Sequence, residues 1–75
     1  MSVKKAMYST ALAEFHSQRD KAIATARIYL EHPVGIGEHP QVIDEFIKQI
    51  KLAAEAEEAA SMLIDTFRDE ITQED

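Results

Sequence analysis

Both prolines and both glycines of this 75-residue chain fall within one short stretch, Glu31-His32-Pro33-Val34-Gly35-Ile36-Gly37-Glu38-His39-Pro40. No comparable helix breaker occurs on either side. Pro33 disfavours helical geometry at His32 and ends what precedes it. Pro40 suits the first position of a new helix, where its missing N–H costs nothing. Asp44 and Glu45 lie near that start, where the helix macrodipole favours negative charge. The punctuation predicts one domain: a helix over about 3–31, a loop over 32–39 and a helix over about 40–72, roughly 43 and 50 Å long at 1.5 Å per residue. Comparable lengths joined by a short loop predict an all-α fold, an antiparallel two-helix hairpin.

The second helix carries a heptad pattern. With Ile43 at position a, the a row reads Ile43, Ile50, Glu57, Ile64 and Ile71, and the d row reads Phe46, Ala53, Ala60 and Phe67. All but Glu57 are apolar, which is a coiled-coil-like seam. Val42, Ile47, Ala54, Ala56 and Leu63 widen it at e and g. A stripe this wide can touch more than one neighbouring helix. In the first helix, spacings of three and four connect Tyr8, Leu12, Phe15, Arg19, Ile23, Ala26 and Leu30, reinforced by Ala22. Val3, Met7, Ala11, Ile28 and Tyr29 are expected on other sides. Folding the chain back about Ile36 sets Leu30 level with Ile43, Ile23 with Ile50 and His16 with Glu57. Arg19 lies one turn away. The polar breaks in the two stripes thus share one height, which predicts a buried or half-buried layer of His16, Arg19, Asp20 and Glu57 in the helical interface.

Size makes the apolar surplus significant. A chain this short buries only about 60% of the surface its unfolded form exposes. With no cysteine there is no disulfide to compensate, leaving a metal, very regular packing or oligomerisation. One hairpin cannot enclose the seam of Ile43, Phe46, Ile50, Ala53, Ala60, Ile64, Phe67 and Ile71 together with its flanks. Self-association into a four-helix bundle or a larger helical oligomer is expected. The same stripe is expected to serve both hairpin and oligomer, so that Ile50→Asp or Ile64→Asp would unfold the chain.

Charge excludes several partners. Residues 1–39 carry five basic and four acidic side chains, and residues 40–75 carry three basic and ten acidic. The clustered Lys and Arg needed to displace nucleic-acid counterions are missing, and the acidic half repels anionic lipid. No apolar run approaches the ~20 residues that span a bilayer, and Met1 to Tyr8 lacks the apolar core of a signal peptide. Neither a nucleic acid nor a membrane is expected as partner, and a cytoplasmic location follows. No cysteine also means no thiolate nucleophile and no Cys-based zinc site.

Other chemistry finds little footing. His32 and His39 sit in two Glu-His-Pro triplets, but two rigid prolines splay Glu31, His32, Glu38 and His39, so capping is the simpler role. His16 and Asp20, four apart on one helix face with Glu57 level, offer three ligand types. The Glu-x-x-His repeat of di-iron bundles is absent, so no metal or cofactor is expected. Gly35-x-Gly37 before a helix start superficially resembles a phosphate loop. No strand precedes it, no basic residue lies between Arg27 and Lys48, and Glu38 occupies the phosphate's place. A compact turn, with Val34 and Ile36 tucked against the hairpin end or a partner, is the simpler reading. Ser2, Ser9, Ser17 and Ser61 have no His–acid constellation at hand. No enzyme is expected.

The string His32-Pro-Val-Gly-Ile-Gly-Glu-His-Pro40, with Phe15-His16, Arg19-Asp20 and Ala54-Glu55-Ala56-Glu57-Glu58, resembles small uncharacterised helical proteins of T4-like tailed phages, including phages of cyanobacteria. The resemblance spans residues 12–65 and brings no activity or catalytic residues. It implies a phage protein acting in the host cytoplasm or carried in a virion. Compact phage proteins of this kind often bind a host protein or sequester a signalling molecule. The sequence therefore supports a non-enzymatic oligomeric hairpin that binds another macromolecule through its acidic outer face or the loop of His32, Val34, Gly35, Ile36, Gly37, Glu38 and His39. A nucleotide-like anion held between hairpins by His16, Arg19 and Tyr8 or Tyr29 is an alternative, and a structural virion component another.

Overall fold

The computed structural model describes residues 2–31 and 40–72. Two helices, α1 (Val3–Glu31) and α2 (Pro40–Thr72), pack side by side as an antiparallel hairpin. Ser2 caps α1: its Oγ accepts from the Lys5 backbone N–H at 3.3 Å, and its carbonyl accepts from the Ala6 N–H at 3.0 Å. One otherwise unpaired N-terminal N–H is satisfied this way. Pro40 opens α2.

The inter-helix contact divides the heptad seam. On α2 the row that faces α1 is Val42, Phe46, Gln49, Ala53, Ala56, Ala60 and Leu63, all buried or half-buried, which alternate between g and d. The a positions Ile43 and Ile50 remain 47% exposed, as does Ile47 at e. Phe67 is also largely exposed, while Ile64 and Ile71 are half-buried. On α1 the inward row is Tyr8, Leu12, Phe15, Arg19, Ala22, Ala26 and Tyr29. The expected stripe runs true as far as Arg19 and then turns: Ala22 and Tyr29 face α2, whereas Ile23 and Leu30 are 36% and 64% exposed. The physical reason is the size of the contact residues. The only fully buried residues described are Ala22, Ala26, Ala56 and Ala60. Small side chains at a four-residue spacing let two helices approach closely, and the bulkier Ile23 and Ile50 are displaced to the side.

Such a core is thin. A fully buried Val, Leu, Ile, Phe or Met contributes about 1.5–3 kcal/mol, and none of these types is fully buried among the described residues. The molecule measures 58 × 19 × 13 Å with a radius of gyration of 17.0 Å, against about 11 Å for a compact globule of this length. Its accessible surface is 5812 Å². A compact folded monomer of 8.4 kDa would expose about 4,600 Å². The hairpin is one layer of helices lying open on both faces, and no described helix is long and apolar enough to cross a membrane.

Candidate functional site

The polar layer lies midway along the rod. Arg19 Nη1 donates to Glu57 Oε1 at 2.8 Å across the two helices, and Arg19 Nε donates to Asp20 Oδ1 at 2.9 Å. The bond to Glu57, then the bond to Asp20, raise the Arg19 pKa above its ordinary value, so the guanidinium stays charged. The layer is not enclosed. The Arg19 side chain is 29% exposed, Glu57 57% and Asp20 66%. This corrects the expectation that the pair lies inside the helical interface. Glu57 occupies position a, beside the g and d rows that face α1, so Arg19 reaches it across the edge of the contact. His16 is half-buried one turn away, and no hydrogen bond joins it to the other three among the described residues.

This edge contact identifies one side of the hairpin. Arg19, Ile23 and Leu30 of α1 lie on the side of the a row of α2, and Leu30 and Ile43 line a common groove near the loop end. The opposite side is mixed. There a shallow groove of about 530 Å³ is lined by Phe15, Gln18, Lys21, Leu52, Glu55 and Ala59 among others, with Lys21 and Glu55 both exposed. At the open end Met7, Tyr8, Ala11, Leu63, Phe67 and Ile71 form a more apolar groove. All three are open to solvent, as expected for two helices with no third element among the described residues to close over them. A cleft that buries most of a small ligand is not formed by the described residues of one chain.

Among the described residues no group of three or more His, Asp or Glu side chains could hold a metal ion. The proposed interaction loop, His32, Val34, Gly35, Ile36, Gly37, Glu38 and His39, lies outside the described residues. No family model, curated protein or solved structure matches the chain.

What remains is an apolar face. Ile43, Ile47 and Ile50 of α2 and Ile23 and Leu30 of α1 are all exposed, with Ala54 between them and the polar layer. Sequence reasoning placed Ile43 and Ile50 in the seam, but also placed Ile23 and Leu30 inside the hairpin. The signal that separates them is the alanine spacing, Ala22 with Ala26 and Ala56 with Ala60, which marks the line of closest approach.

Proposed function

We propose that the chain is a non-enzymatic helical hairpin that functions as a homo-oligomer and binds another macromolecule. The observation that carries this reading is the exposed row Ile23, Leu30, Ile43, Ile47 and Ile50 on a hairpin whose buried core, among the described residues, is four alanines. A contiguous apolar patch on a small protein marks an interaction site. With that face covered, the outward edge of the C-terminal half of α2 presents Glu55, Glu58, Asp65 and Asp69, all exposed. By charge, such an edge favours a basic protein surface and disfavours nucleic acid. The resemblance to phage proteins supplies the setting, a host protein in the bacterial cytoplasm.

The small-anion alternative has less support. Its best cation, Arg19, already carries two carboxylates at hydrogen-bond distance. Native mass spectrometry of the purified protein tests the choice. Two or more chains with no added small-molecule mass is the expected result. A monomer overturns the reading, and a stoichiometric co-bound anion favours the alternative.

A further inference from the structure

We propose that the occupant of the apolar face is a second copy of the chain, docked antiparallel about a two-fold axis that crosses the rod at the Arg19–Glu57 pair. This rests on the self-association proposed above and adds its geometry. The first support is area. Two separate hairpins expose 5812 Å² each, whereas a compact body of twice the mass would expose about 7,700 Å². That gap of about 4,000 Å² is the ceiling for a fully compact body; two faces of 58 × 19 Å laid together cover about 2,200 Å², at the lower end of the roughly 2,000–5,000 Å² of obligate dimers.

The second support is the symmetry of the a row. Ile43, Ile50, Glu57, Ile64 and Ile71 read the same in both directions about Glu57. Glu57 also lies at the middle of α2 (Pro40–Thr72), level with the middle of α1 (Val3–Glu31). In a face-to-face dimer whose axis crosses the rods, α2 lies antiparallel on the partner's α2. Ile50 then meets the other copy's Ile64, Ile43 meets Ile71, and the two Glu57 carboxylates meet at the axis, each with its Arg19. Two Arg19–Glu57 pairs then lie together at the axis, each Arg19 also holding its own Asp20. A slip of one heptad would set Glu57 against Ile50 or Ile64, so the cluster fixes register.

The third support is charge, which selects this axis over one along the rod. Among the described residues, the loop half (19–31 and 40–56) carries five basic and five acidic side chains. The open half (2–18 and 57–72) carries three basic and six acidic. A parallel dimer stacks two acidic halves on each other, and the antiparallel dimer sets each against a neutral half, which lowers like-charge repulsion.

The test combines sedimentation with cross-linking. A monomer in sedimentation at micromolar concentration overturns both this geometry and the proposed function. For a dimer, the absence of native cysteine permits mixing chains that carry single substitutions. Ile50→Cys mixed with Ile64→Cys should yield at least about fivefold more mixed disulfide than Ile50→Cys mixed with Ile23→Cys, because only facing residues reach disulfide geometry. Equal yields, or the reverse order expected of a parallel dimer, overturn the antiparallel geometry alone. A wild-type measurement guards against variants that fail to fold. Lys5 and Glu31 lie about 39 Å apart along α1, so a zero-length carbodiimide link between them forms only between copies lying antiparallel. In a mixture of ¹⁴N- and ¹⁵N-labelled chains that link should appear with mixed isotopes. Intermolecular links from Lys5 confined to open-end carboxylates overturn the proposal.

Discussion

Ala56→Leu tests the alanine contact line between the helices. Ala56 is 4% exposed and lies on the contact line with Ala60 on α2 and Ala22 and Ala26 on α1, each 3–4% exposed. The substitution adds three carbons on the line where the helices pack; Ala56 also borders the shallow groove of about 530 Å³, so the larger side chain is crowded by α1 on every side but that one. Overpacking of this kind costs about 1–3 kcal/mol, after the gain from extra apolar area is included. For 75 residues the unfolding entropy is about 0.16 kcal/mol per kelvin, so the melting temperature should fall by about 6–19 °C. Far-UV circular dichroism at one fixed protein concentration is the assay, because the proposed self-association would make melting concentration-dependent. Ala24→Leu, on an exposed position of α1, is the control and should move the midpoint by less than about 3 °C. An unchanged or higher midpoint for Ala56→Leu would refute the reasoning, because the helices would then be far enough apart to admit a leucine.

The central pair gives a further test. Glu57→Ala should weaken the proposed self-association about tenfold or more, because it removes the two carboxylates between the Arg19 side chains at the proposed dimer centre and leaves each guanidinium only its own exposed Asp20, and Arg19→Met combined with Glu57→Leu should restore it; sedimentation equilibrium reads both. The pH response follows from the sign of the Arg19 shift. Its pKa is raised, chiefly by Glu57 and then by Asp20, so its contribution is complete below its unfolded value and is lost only as pH rises through the folded one. The melting difference between wild type and Arg19→Met should therefore be constant from about pH 6 to 9, and a difference that shrinks within that range contradicts the assignment. Chelator should move the midpoint by less than about 1 °C, since a structural metal couples directly to folding; a large fall would point to ligands around His16, Asp20 and Glu57.

Much of the hairpin was legible from punctuation and period. Confining both prolines and both glycines to residues 33–40 leaves two long uninterrupted helices, and the heptads of α2 locate its apolar side. The register that follows sets Arg19 within a turn of Glu57, and their side chains meet at 2.8 Å. What periodicity does not decide is which part of a wide stripe a single partner takes. A stripe spanning g, a, d and e can offer d with g, or d with a, and hydrophobicity ranks isoleucine above alanine for burial. Close approach favours the opposite order. Ala56 and Ala60 are enclosed, while Ile43 and Ile50 stay open, and on α1 the inward line follows Ala22 and Tyr29 instead of Ile23 and Leu30. The same rotation explains why Glu57 is open to solvent in one hairpin. The Ser2 cap was missed in the sequence, although a serine directly before the first helical residue is a standard start signal.

The central claim is that the face of Ile23, Leu30, Ile43, Ile47 and Ile50 is covered by a second copy, so that folding and association are one equilibrium. Thermal melting across a hundredfold range of protein concentration, with sedimentation mass determined across the same range, tests it most directly. The account predicts two chains per particle and a midpoint that rises by about 10 °C over that range, from an unfolding enthalpy of about 105 kcal/mol per dimer. A single-chain mass with a midpoint independent of concentration would contradict it.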